Sequence, residues 1–289
     1  MASVQDLIER AREQRRQMVG ALASPPDDQI TAPVEGGGDV RSCLWRLLVS
    51  AHQCRVQLAG TLAALGWRQS EAQRILALTM ESRGDLRAIL GVPDECMDIE
   101  PAPGEWSVRQ ALEHAHLVDE RYTRACLQAV DRLGNNIPPD APADGQPRPE
   151  PEQLPGRVAD VLARLQRRRN EVIERLSSLS DEELAAPIVY RGEQVNVAHR
   201  MHLISAHERE HIGQVARTLR AVGFEQSESE MILGQVAAAA GVLQGIVIGL
   251  PDDLVGRTTS NGESVERTLA RAVDEEAALF DRIRGAVAV

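Results

Sequence analysis

His207 and His211, in the run SAHEREHIGQV, stand four residues apart. On a helix that spacing puts both rings on one face, with Cβ atoms about 5–6 Å apart, close enough to share a metal ion. The same spacing suits two partly buried histidines that only hydrogen-bond, and the pair alone does not choose between these readings. Gln214 follows His211 by three residues and lies on that face, where it can hydrogen-bond a ligand or substrate or stand in solvent. Acidic candidates for proton transfer are Asp119, Glu120, Glu208 and Glu210, with Glu210 three residues after His207. At such charge density the ordinary reading is a solvated helix face, and no general base is assigned.

Several other chemistries are excluded. The chain of 289 residues has 32 basic residues, and every one of them is arginine, so lysine Schiff bases, lysine general bases and a P-loop lysine are absent. Acidic residues number 43, for a net charge of −11, and the aromatic content is 2%. A nucleic-acid binder needs surplus cations and stacking rings, so DNA and RNA are not expected partners. The cysteines Cys43, Cys54, Cys96 and Cys126 have no C-x-x-C spacing and read as reduced, mostly buried thiols of a cytoplasmic protein. The charged N-terminal run MASVQDLIERAREQRRQM has no apolar core of a secretory signal. No G-x-G-x-x-G or G-x-S-x-G motif occurs, and Gly36-Gly37-Gly38 reads as a loose turn.

The elements that must carry these residues are helices. Ala, Leu, Arg, Glu and Gln dominate, and the chain is expected to be all-α. Leu203, Ile204, Ile212, Val215, Ala216, Leu219 and Val222 recur at helical spacing as one apolar stripe. Ser107 stands three residues before Gln110, the spacing of a capping box. The run from Ser107 is echoed from Ser264, GVPDE at Gly91 by GLPDD at Gly249, and RQSEAQRIL at Arg68 by EQSESEMIL at Glu225. The offset of about 157 residues implies a tandem duplication and two four-helix-bundle units. Residues 231–250 are long and apolar enough to raise a membrane span, but their repeat partner is charged throughout, which favours a buried bundle helix. Seven of the fifteen prolines fall in residues 134–157, read as an extended surface connection.

Trp106 opens the run WSVRQALEH, which places His114 eight residues later. Together with H-x-x-x-H at His207 and His211, this order resembles the DinB superfamily, which includes bacillithiol transferases and mycothiol-dependent maleylpyruvate isomerases. The resemblance covers about residues 70 to 222. It implies an antiparallel, up-down four-helix bundle in which His114, His207 and His211 bind a divalent cation, zinc or nickel, at one end of a cleft. Three imidazoles leave one coordination position open, as in catalytic sites. In the family's transferases the cation activates a low-molecular-weight thiol, so the resemblance implies a thiol S-transferase acting on a small electrophilic substrate. A metal-dependent hydrolase would share the site, and a non-catalytic binding or scaffold protein of the same fold is the alternative. Beside that triad, His116 is expected to face away, His202 to point elsewhere, His199 to line the cleft, and His52 to be a surface or packing residue.

The family order spans both copies of the repeat. The active bundle is therefore expected at 68–224, with 134–157 as its crossover, and the outer hairpins 1–66 and 226–289 are expected to pair as a degenerate second bundle. At the repeat offset, Arg271, Ser50 and Cys54 replace the three histidines, a set expected to hold no metal. A monomer or homodimer without a membrane partner completes the expectation.

Overall fold

The computed structural model describes residues 4–22, 27–86, 89, 91–139 and 152–287; residues 140–151 of the expected crossover lie outside them. Among the described residues the long helices are α1 (Val4–Leu22), α2 (Val40–Ala64), α3 (Glu71–Leu86), α4 (Val108–Gly134), α5 (Val158–Leu176), α7 (Val197–Ala221), α8 (Glu228–Ile246) and α10 (Val265–Val287), with short α6 (Asp181–Leu184) and α9 (Asp252–Val255). Among the described residues the protein is all-α apart from one two-stranded hairpin. Local chemistry starts these helices where they start. Ser107 and Gln110 cap α4 reciprocally, and Ser227 with Glu230 caps α8 in the same way. Asp39 and Asn196 accept backbone N–H bonds at the starts of α2 and α7.

Helices α3, α4, α5 and α7 pack together around Leu76, Met80, Cys126, Leu176 and Met201 at one end, and around Leu112, Val161, Leu165 and Val215 at the other. Each such side chain contributes about 1.5–3 kcal/mol on burial. Helices α4 and α7 run antiparallel: the Thr218 hydroxyl donates to the Trp106 carbonyl at 3.4 Å at one end, and Cys126 lies 4.0 Å from the Val197 carbonyl at the other. Helices α1, α2, α8 and α10 enclose a separate set of apolar residues, including Leu44, Leu58, Val236, Leu243, Leu269 and Ile283. Of the stripe on α7, Ile204, Val215 and Leu219 are buried, whereas Ala216 is exposed at its edge.

Helix α8 is long and apolar enough to cross a membrane, yet 67% of that window is buried inside the protein. Its small residues let α3 approach closely. A Cβ on Gly84 would lie 2.9 Å from the Ala237 carbonyl, and one on Gly241 would strike the Met80 carbonyl. That seam joins the two helix groups.

Two features depart from the sequence reading. Strands β1 (Pro187–Tyr190) and β2 (Glu193–Asn196) pair antiparallel around Arg191 and Gly192, both at positive φ. Two such residues suit a tight hairpin turn, but four-residue strands are too short to show a period. The connection into α5 is also not wholly superficial. Leu154 is fully buried, with its N–H donated to Glu113 and its carbonyl accepting from Arg109.

Candidate metal centre

Helix α4 supplies His114, and α7 supplies His207 and His211 one turn apart. One coordinating nitrogen from each of the three rings lies within 4.8 Å of the other two. His207 Nε2 and His211 Nε2 are 3.4 Å apart. Bonds of about 2.1 Å in a tetrahedral site put ligand nitrogens roughly 3.4 Å apart, so this pair already spans one tetrahedral edge. His114 approaches both, with ring centroids 5.1 Å from His207 and 5.0 Å from His211.

The electrostatics favour neutral imidazoles. Burial first, and then His211 and His114, push His207 down to about 4. Burial, His211 and Arg121 lower His114; burial lowers His211 against the opposing hydrogen bond to Gln214. That bond, 2.9 Å from His211 Nδ1 to Gln214 Oε1, places the ring proton on Nδ1. The Nε2 lone pair is then directed at the cluster, the usual function of a partner behind a metal-ligating histidine. Trp106 covers the cluster: its ring is 4.9 Å from His114 and stacks at 6.1 Å over His211. Beside it opens a cleft of about 700 Å³ lined by Pro101, Glu105, Trp106, Gln214, Arg217 and Thr218. Among the described residues, no carboxylate or thiol joins the three rings in the cluster.

The remaining histidines lie elsewhere. His116 is buried on the other side of α4, with Nε2 3.0 Å from Glu152. His52, His199 and His202 are exposed.

The acidic residues require a correction. Asp119 and Glu208, assigned by charge density to a solvated face, are 3% and 2% exposed. Each meets two arginines. Arg83 from α3 lies 2.6 Å from Glu208 and 3.1 Å from Asp119; Arg169 from α5 lies 3.2 Å from Glu208 and 3.0 Å from Asp119. Ser82 donates to Glu208, and Arg169 also donates to the Thr79 carbonyl. One charged residue from each of four helices thus forms a neutral buried cluster, which fixes α4 and α7 against one another at the level of the histidines. Burial works against ionisation of Glu208, but Arg169 and Arg83 hold its carboxyl below the ordinary value. Glu120 is half-buried among Arg124, Arg168 and Arg175, and Glu210 is exposed.

Sequence reasoning missed three further residues here. Tyr122 places its ring 6.0 Å from that of His207, and Arg200 lies over the Tyr122 ring at 3.8 Å and the Tyr190 ring at 4.1 Å. Burial, then the hydrogen bond with Tyr190, pushes the Tyr122 hydroxyl up to about 12. The available signal was spacing: Arg200 is seven residues before His207, on the same helical face.

These features define a four-helix-bundle protein with a tris-histidine cluster at the edge of a cleft. Residues 79–215, which contain all three histidines, match the family model of the DinB superfamily. No curated protein and no solved structure matches the chain significantly.

Proposed function

We propose that the protein is a metal-dependent enzyme that transfers a low-molecular-weight thiol to a small electrophilic substrate. The observation that carries this reading is the convergence of three imidazoles with no fourth ligand beside them among the described residues, next to a cleft that Trp106 and Gln214 line. His114, His207 and His211 would hold a divalent cation, zinc or nickel, since nitrogen donors suit both. A bound cation supplies the Lewis acidity that makes a thiol a nucleophile at neutral pH. The chain's own residues do the rest. Gln214 keeps His211 in the ligating tautomer, the Trp106 ring shields the cluster from water, and the neighbouring cleft receives the electrophile.

In this reading α1, α2, α8 and α10 form a degenerate second bundle paired from the outer hairpins, and it carries no metal. Ser50 bonds Glu275 at 2.7 Å, Arg271 bonds Gln57 at 2.8 Å, and Cys54 lies 4.0 Å from the Thr268 carbonyl. None of these presents a second imidazole set.

Metal analysis of the purified protein, followed by a thiol-conjugation screen with and without the metal, tests the proposal. The expected result is one cation per chain, conjugation that depends on it, and loss of most of the metal in His114→Ala. Full metal stoichiometry in His114→Ala would remove that ligand from the assignment. Metal-dependent turnover with water alone would replace transfer by hydrolysis.

A further inference from the structure

Three arginines are buried among α3, α5 and α7, and they are treated differently by the fold. Arg83 and Arg169 each meet two carboxylates. Arg200, 9% exposed, has no ion pair among the described residues; its side chain shares a hydrogen bond with Tyr190, and its Nε and Nη1 have no hydrogen-bond partner there. Arg83 leaves only Nη1 unpaired. Burying a cation without a counter-charge is costly, and the two tyrosine rings at 3.8 and 4.1 Å offset only part of that cost. A guanidinium kept under those conditions, with no carboxylate paired to it among the described residues, is suited to an anion from outside the chain.

We infer that Arg200 recognises an anionic group of the carboxylate class on a ligand that also reaches the histidine cluster. The inference deepens the proposed function and rests on it for the second half of that statement. Arg200 precedes His207 by seven residues, two helical turns or about 10.5 Å along α7, and faces the same way. Tyr122 fills the interval, its ring against His207 on one side and under the Arg200 guanidinium on the other. A planar fork of N–H donors is the group that suits a carboxylate. The cover over this site is Tyr190 at the end of β1, in the two-stranded hairpin. A lone two-stranded hairpin is marginally stable by itself, so it can shift to admit a ligand without breaking the bundle.

The test uses the full chain, metal-free and zinc-loaded, with butyrate, its neutral counterpart butanamide, and 6-mercaptohexanoate as calorimetric probes. Butyrate is expected to bind and butanamide not. Arg200→Met, which keeps the stem volume, should weaken butyrate at least about tenfold, in line with a lost charge-assisted hydrogen bond. Arg200→Lys keeps the charge and loses the fork, and should weaken it several-fold, which preserves the test should Arg200→Met fail to fold. Absence of butyrate binding, or equal affinity in the wild type and the folded variants, would overturn the inference. Tighter binding of 6-mercaptohexanoate that needs both zinc and Arg200 assigns the anion to the thiol partner. Equal binding of both probes, with or without zinc, assigns it to the electrophile. A zinc titration without uptake would remove the metal reading and leave the Arg200 result standing.

Discussion

Replacing Arg169 by Met isolates the energetics of the buried charge cluster. In the wild type two guanidiniums, Arg83 and Arg169, face two carboxylates, Asp119 and Glu208, so the group is neutral and all four side chains are at most 4% exposed. Arg169→Met leaves one uncompensated negative charge in the core, and breaking a buried pair in this way costs about 3–5 kcal/mol. Urea denaturation of the metal-free protein at pH 7 and pH 5 measures it. The orphaned carboxylate should have a folded-state pKa above its unfolded value, so the folded variant binds the extra proton and regains stability as pH falls. Glu208 in the wild type is held low by its arginines, despite its burial, so it gives no such gain and loses stability once pH falls through its folded pKa. The deficit of the variant is therefore expected to shrink between pH 7 and pH 5. Adding Asp119→Leu removes one charge of each sign, leaves the Arg83–Glu208 pair at 2.6 Å, and should recover most of the loss. A deficit below about 1 kcal/mol, or one equal at the two pH values, would refute the reasoning.

Gln214→Leu removes the acceptor that fixes the His211 tautomer and should lower zinc affinity about 10- to 100-fold with the fold intact; an unchanged zinc isotherm would show that Gln214 plays no such part. With His207 held at about 4 and His114 and His211 also lowered, protons should compete with zinc only below about pH 6, and a midpoint of metal loss above pH 7 would contradict this. The same shifts act on the metal-free fold: the unfolded histidines bind protons first, so stability should fall as pH drops from about 6.5 towards 4, and a flat thermal midpoint over that window would count against their burial. Gly241→Leu forces a side chain into the Met80 carbonyl at the α3–α8 seam and should cost about 1–3 kcal/mol or more, seen as a drop in Tm; an unchanged Tm would refute the close approach of the two helices.

Features confined to one helix were legible in the sequence. The all-α class follows from composition and period, the Ser107–Gln110 cap from its spacing, and the shared face of His207 and His211 from the helical repeat. Gln214 also belonged to that face before its bond to His211 was seen. His114 entered only through a family pattern, because nothing in the period of α4 says which residue of α7 it will meet. Tertiary structure decided the rest. It buried Asp119 and Glu208 between two arginines, covered Leu154, and stacked Arg200 between rings from α4 and β1. The physical reason is that helical spacing sets the direction of a side chain relative to its own axis. Whether a carboxylate so directed meets water or a guanidinium depends on the rotation, register and crossing of its neighbours, which are set by the packing of all four helices together.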